Sequence, residues 1–148
     1  MNSIIAIDPG ASGGFAWVDR DDIVQAEAMP KGMTAQADRL REIVLDAGID
    51  RIVIERVGTY VPGNSGPAAA TFSRHCGHVE AIAYMLGVPA DQVAPGVWMK
   101  GLGAWPKDKK ERKHAIREAM QRRHPHLRVT LKTADALGIL AYAERGTA

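Results

Sequence analysis

The chain has 148 residues, 46% of them hydrophobic, which predicts one domain over residues 1–148 with a sizeable core. No apolar run reaches the roughly 18 to 20 residues of a membrane span. No basic segment precedes an apolar run at the N-terminus, so we predict neither a span nor a signal peptide and expect a cytoplasmic protein. The single cysteine, Cys76, excludes an internal disulfide and any site built on several cysteine ligands.

The net charge of +2 hides an uneven distribution of charge along the chain. Residues 100–132 contain 11 of the 19 lysines and arginines and three acids, which gives +8, so the other residues carry 8 minus 14, or −6. A block of cations is typical of nucleic-acid binding, because its charges displace the counterions condensed on phosphates. The alternative is a solvated helix face, since lysine-rich helices are common.

The first third of the chain predicts an antiparallel sheet and one helix. Strands are expected at Ile4–Asp8, Phe15–Asp19 and Ile23–Met29, because these apolar runs are separated by turn residues. A helix follows, for which Thr34 can serve as the N-cap and Gly48 as the C-terminal stop.

The next strand and helix predict the change to a parallel sheet. Arg51–Glu55 is rich in β-branched residues without alternation, which indicates an inner parallel strand covered on both faces. A loop rich in glycine and proline follows and carries Tyr60, which could stack on an unpaired base or pack on the sheet. A long helix is expected from Ala68 to Leu86, with small residues that suit tight packing or a dimer interface.

The C-terminal part predicts a short strand and two further long helices. The strand is expected at Gln92–Ala94, with a turn or short helix over Pro95–Leu102. A basic helix covers residues 108–123 and ends before Pro125. In the last helix, apolar residues at helical spacing place Asp135 in the first turn.

Three acids stand where regular elements begin or end. Asp8 closes the first apolar strand in the segment IIAIDPGASGG, Glu55 closes the strand RIVIE, and Asp135 opens the last helix. Each has an ordinary explanation, because Asp-Pro-Gly is good turn chemistry and acids in a first turn complement the helix dipole. Taken together they predict converging metal ligands. Hard cations such as Mg²⁺ prefer carboxylate oxygens, and such sites hydrolyse phosphodiesters.

These residues resemble the RuvC-like Holliday junction resolvases of the ribonuclease H-like superfamily. The resemblance rests on IIAIDPGASGGFAWVD, RIVIE, SRHCGHVEAIAYMLGVP, VAPGVWMKGLG and TADALGILAYA, and it covers most of the chain. It implies an α/β fold with a ribonuclease H-like mixed five-stranded sheet flanked by helices. It also implies a homodimer that cuts four-way or related branched DNA with Mg²⁺, for which Mn²⁺ may substitute. Such a protein would work at the nucleoid of a bacterial or phage-infected cell.

By this resemblance Asp8, Glu55 and Asp135 are both the metal ligands and catalytic residues. The family usually carries another acid or a histidine about one turn before Asp135, where this chain has Lys132. We include Lys132 among the predicted catalytic residues, because it could contact a phosphate or the attacking water. The alternative is that Lys132 is an ordinary solvated cation. His124 and His126 could substitute as ligands, or could be surface groups.

The residues expected to bind DNA are one aromatic side chain and six cations of the basic block: Tyr60, Lys100, Lys107, Lys109, Lys110, Arg112 and Lys113.

Two other hypotheses about function stay open: a ribonuclease H-type nuclease for RNA–DNA hybrids, and a junction-binding protein with impaired catalysis. An actin-like phosphotransferase also begins with an aspartate and glycines after a strand, but it needs a second domain that this length excludes.

Overall fold

A computed structural model describes residues 3–56 and 66–146, and all structural statements below concern these residues. They form five strands and five helices. The elements in chain order are β1 Ile4–Asp8, β2 Gly14–Val18, β3 Val24–Ala28, α1 Met33–Ala47, β4 Arg51–Glu55, α2 Gly66–Met85, β5 Ala90–Val93, α3 Pro95–Leu102, α4 Lys109–Arg123 and α5 Ala134–Arg145.

The strands form one mixed sheet in the order β3-β2-β1-β4-β5. β1 pairs antiparallel with β2 and parallel with β4, and β5 extends the parallel half. Because β1 and β4 run in the same direction, their last residues, Asp8 and Glu55, reach the same edge of the sheet. This topology confirms the predicted α/β fold with a mixed five-stranded sheet flanked by helices.

Each face of the sheet is covered by its own hydrophobic core. One core joins the sheet to the C-terminal helices and includes Trp98, Ile116 and Leu137. The other joins the sheet to α1 and α2 and includes Leu40, Ile43 and Val79. The β-branched residues of β4 are buried, as expected for an inner strand with helices on both sides. No described helix is both long and apolar enough to cross a bilayer.

The helices α1 and α4 differ in whether a side chain caps the free backbone N–H groups of the first turn. The prediction that Thr34 caps α1 is wrong, because the N-cap is Gly32, with φ 86°, and no side chain caps the helix. Glycine tolerates this backbone conformation, and Thr34 lies inside the first turn. The basic helix begins as predicted, because the Asp108 carboxylate accepts a hydrogen bond from the backbone N–H of Glu111.

Candidate metal centre

The three acids predicted as metal ligands lie together at one edge of the sheet. One carboxylate oxygen from each of Asp8, Glu55 and Asp135 can be chosen so that all three atoms lie within 4.8 Å of one another. Asp8 ends β1, Glu55 ends the neighbouring parallel strand β4, and Asp135 lies in the first turn of α5. α5 packs across the sheet through a buried apolar face, which holds its N-terminus beside the strand ends.

The turn after Asp8 depends on glycine at two positions. Gly10 has a φ of 104°, and a Cβ on Gly13 would lie 1.9 Å from the carbonyl oxygen of Asp8. The turn is closed by a hydrogen bond from Gly13 N–H to Gly10 O at 3.1 Å. From α2, His75 accepts a hydrogen bond from Gly10 N–H on Nδ1 at 3.2 Å. The turn that follows Asp8 is therefore fixed by its own backbone geometry and by a hydrogen bond to α2.

All three carboxyl groups have pKa values above their usual range. Burial is the largest cause in each case, because it removes water from the charged form. The pKa of Asp8 is raised well above normal, and the charges of Glu55 and Asp135 add to the effect of burial. Burial raises the pKa of Glu55 to about 7, although a hydrogen bond from Trp98 acts in the opposite direction.

The donor set of this cluster fits a hard divalent cation. Three carboxylates so close together, one buried and two half-buried, repel one another when ionised, unless protons or a cation neutralise them. The cluster contains oxygen donors, with no histidine or cysteine joining it among the described residues. Oxygen ligands favour Mg²⁺ or Mn²⁺ over zinc. Asp8, Glu55 and Asp135 could therefore bind such an ion.

Cations from α4 lie close to this acidic cluster. The charge of Lys113 lowers the pKa of Asp8, Glu55 and Asp135, and Arg112 also lowers the pKa of Asp135. The Lys113 side chain is exposed, whereas Arg112 is half-buried and donates from Nη1 to the carbonyl oxygen of Lys107 at 3.0 Å. The basic helix thus places positive charge beside the negative cluster.

Lys132 and the two neighbouring histidines have different surroundings. The Lys132 side chain is exposed, and its carbonyl oxygen would lie 2.7 Å from a Cβ on Gly14, so its backbone packs against the start of β2. A catalytic role for Lys132 stays a prediction. His124 is buried with its ring against that of His126, and His126 Nε2 lies 2.8 Å from the carbonyl oxygen of Val24. Neither histidine belongs to the described acidic cluster.

The predicted DNA-binding residues are distributed around α3 and α4. Tyr60 lies outside the described residues. Lys100 is exposed in the last turn of α3, and Lys107 is exposed just before α4. Lys109 and Lys110 are exposed in the first turn of α4. Contact with DNA stays a prediction for all of them.

Sequence patterns missed two contacts that hold the acids in place. Trp98 is a buried core residue, and its indole Nε1–H also donates to Oε2 of Glu55 at 2.7 Å. A buried indole N–H needs an acceptor, so the sequence did signal that Trp98 has a polar partner. The contact of His75 with Gly10 had no comparable signal, because it joins residues 65 positions apart.

Comparison with known proteins finds similarity in structure rather than in sequence. No protein-family model matches the chain, and no curated protein matches it significantly. A structure of Thermus thermophilus RuvC in complex with a Holliday junction has a TM-score of 0.68 and 19% identity, covering 99% of this chain and 98% of that chain. The yeast mitochondrial Holliday junction resolvase Ydc2 has a TM-score of 0.56 and 13% identity, covering 97% of this chain and 79% of that chain.

A viral protein gives a further match of the same kind. The fowlpox virus resolvase, solved with Holliday junction DNA, has a TM-score of 0.53 and 12% identity, covering 96% of this chain and 99% of that chain. The similarities extend over nearly the whole chain, so they include the sheet and the helices on both of its faces. The chain therefore has the ribonuclease H-like fold of the RuvC-type Holliday junction resolvases.

Proposed function

We propose that this chain is a divalent-metal-dependent endonuclease that cleaves four-way DNA junctions. The observation that carries the proposal is the convergence of Asp8, Glu55 and Asp135 from three separate elements into one cluster, in which Glu55 is buried and the two aspartates are half-buried. Neighbouring acids are common on protein surfaces, but three ionised carboxylates this close together and partly shielded from water are costly without a cation to neutralise them. The similarity of the fold to junction-bound resolvases supports DNA as the substrate.

The proposed reaction is hydrolysis of one phosphodiester in a junction strand. An oxygen of water forms a bond to phosphorus as the water gives up a proton, and the bond from phosphorus to one sugar oxygen breaks as that oxygen takes up a proton. A bound Mg²⁺ would supply positive charge that polarises the phosphate and favours deprotonation of water. Asp8, Glu55 and Asp135 would hold the ion.

The cations of α4 are proposed to hold the phosphate backbone against the acidic cluster. Lys113 is the nearest candidate to the reacting phosphate, because its charge is felt by all three carboxyl groups. Lys107, just before this helix, and Lys109 and Lys110, in its first turn, are exposed and would extend the contact along the strand. Without such cations the three acids would repel the phosphate.

Two copies of the chain would be needed to cut a junction symmetrically. A four-way junction has approximate two-fold symmetry, and a two-fold dimer presents two equivalent sites to it. The surface of α2 supports a homodimer, because Tyr84 and Met85 are 84% and 81% exposed. A contiguous exposed apolar patch is typical of a surface covered by a partner, and these two side chains are neighbours in the sequence.

The first test is cleavage of a labelled four-way junction beside a linear duplex and an RNA–DNA hybrid of matched sequence. We expect Mg²⁺ or Mn²⁺ to produce paired nicks in opposite strands of the junction, and a chelator to prevent them. Cleavage of the hybrid alone would instead identify a ribonuclease H-type enzyme. Tight junction binding without any cut would identify a DNA-binding protein that lacks catalysis.

The proposed role of α4 predicts a change in the salt dependence of junction binding. Replacing Lys109 and Lys110 by glutamine should weaken binding and reduce the slope of log affinity against log salt by about 0.9 per lost phosphate contact. The helix should stay folded, because cations in a first turn oppose the helix dipole. Electrophoretic mobility shifts at several salt concentrations measure this slope.

The control for this prediction is Arg41→Gln. Arg41 is an exposed cation on α1, which covers the opposite face of the sheet from α4. It should leave both the affinity and the slope unchanged. An unchanged slope in the Lys109 and Lys110 variant would show that this end of α4 does not contact DNA.

A further inference from the structure

Trp98 links the core of the protein to the candidate metal centre. Its side chain is fully buried, and its Nε1–H donates a hydrogen bond of 2.7 Å to Oε2 of Glu55. An indole has one donor and no acceptor, so this bond satisfies the only polar atom of the ring. An ionised carboxylate can accept about four hydrogen bonds or ligand contacts, so the bond leaves acceptor sites of Glu55 for an ion.

The same indole ring is packed tightly against the helix that carries Asp135. A Cβ on Gly138 would lie 2.5 Å from Cζ3 of Trp98, so only glycine allows this approach of ring and helix. Gly138 follows Asp135 by about one helical turn. One rigid side chain from α3 therefore contacts Glu55 through its nitrogen and the helix of Asp135 through its ring.

We propose that Trp98 is a positioning residue for the metal centre, which orients the Glu55 carboxylate and sets its spacing from Asp135. This proposal rests on the proposed function, because it requires Glu55 and Asp135 to bind the ion. Groups that donate hydrogen bonds to a metal ligand fix its orientation, and their removal typically lowers metal affinity by about 10- to 100-fold. Trp98 itself contacts neither the ion nor the substrate.

The test is the affinity of the Trp98→Phe variant for Mn²⁺, measured by isothermal titration calorimetry without DNA. Phenylalanine keeps an aromatic ring in the core but has no N–H to donate. We expect affinity to fall by about 10- to 100-fold. In the cleavage assay, the metal concentration for half-maximal rate should rise by a similar factor, whereas the junction affinity measured without metal should not change.

Trp105→Phe is the matched control. Its indole also donates one hydrogen bond, of 2.9 Å, but to the carbonyl oxygen of Met99 rather than to a metal ligand. It should keep wild-type Mn²⁺ affinity. Wild-type affinity in Trp98→Phe would overturn the positioning role while leaving the proposed function intact. Failure of the wild-type chain to bind Mn²⁺ would reject the metal centre, and the role of Trp98 with it.

A second measurement on the wild-type protein covers the case in which Trp98→Phe does not fold. The chain has three tryptophans, so Trp17→Phe and Trp105→Phe assign the indole N–H resonance of Trp98 by elimination. We expect this resonance to shift on addition of Mg²⁺ with a saturating dependence, and to stay fixed in Asp8→Asn. A purely structural Trp98 would show no shift when the wild-type site is saturated, and that result would overturn the proposal.

Discussion

Replacing Asp8 by asparagine is expected to lower the rate of junction cleavage by at least about 1,000-fold, which corresponds to about 4 kcal/mol of transition-state stabilisation. Asparagine has nearly the same shape but no charge, so the site would lose one of the three carboxylates proposed to hold the ion. Single-turnover cleavage of a labelled junction measures the rate.

When both proteins are measured without metal, Asp8→Asn should bind the junction as tightly as the wild-type chain or more tightly. The substitution removes a negative charge that would repel a phosphate, while the cations of α4 are unchanged. The control is Asp38→Asn, which makes the same chemical change at an exposed position of α1 and should cut normally. If Asp8→Asn cuts at the wild-type rate, Asp8 is not part of the active site.

The second large effect is a pH dependence of metal binding. Ions bind to deprotonated carboxylates, and burial raises the pKa of Glu55 to about 7. Protonation of Glu55 alone should therefore make Mg²⁺ or Mn²⁺ binding about 30-fold weaker near pH 5.5 than near pH 8. The raised pKa values of Asp8 and Asp135 act in the same direction. Calorimetric titration at each pH measures the affinity and the protons released.

The same shift predicts that stability without metal falls as pH rises. The pKa of Glu55 is about 7 in the folded chain and 4.5 for an unperturbed glutamate, as in the unfolded chain, so between these values the folded state holds a proton that the unfolded state has lost. Stability is therefore full below the unfolded pKa and decreases by about 3 kcal/mol as pH rises through the folded pKa. Binding of Mg²⁺ to the ionised site should reverse this loss above neutral pH.

Urea unfolding with a chelator, at several pH values, tests this prediction. The matched variant is Glu55→Gln, which keeps an acceptor for Trp98 but cannot ionise. We expect the free energy of unfolding of Glu55→Gln to exceed that of the wild-type chain by an amount that grows between about pH 5 and 8. A difference that does not change with pH would contradict the raised pKa of Glu55.

Much of this fold was predictable because its local signals agree with one another. The apolar runs of β1 and β4 predict inner strands, and the glycines after Asp8 predict the turn into β2. Acids at the ends of these strands had to lie near the sheet edge, since an ionised side chain is too costly inside an apolar strand. The cap of α1 was less predictable, because Thr34 and Gly32 are both acceptable residues near a helix start.

The sequence by itself determined which elements form and which acids stand at their ends, because hydrophobic periodicity, turn residues and the cost of burying charge all act locally. Only the tertiary structure decided how the acids are held. Trp98 reaches Glu55 across 43 positions, and Gly138 admits the Trp98 ring against α5. Lys113 is one of several similar cations in sequence, and the packing of α4 is what places its charge beside all three carboxyl groups. Contacts between distant residues depend on how whole helices pack on the sheet, and no local pattern encodes that packing.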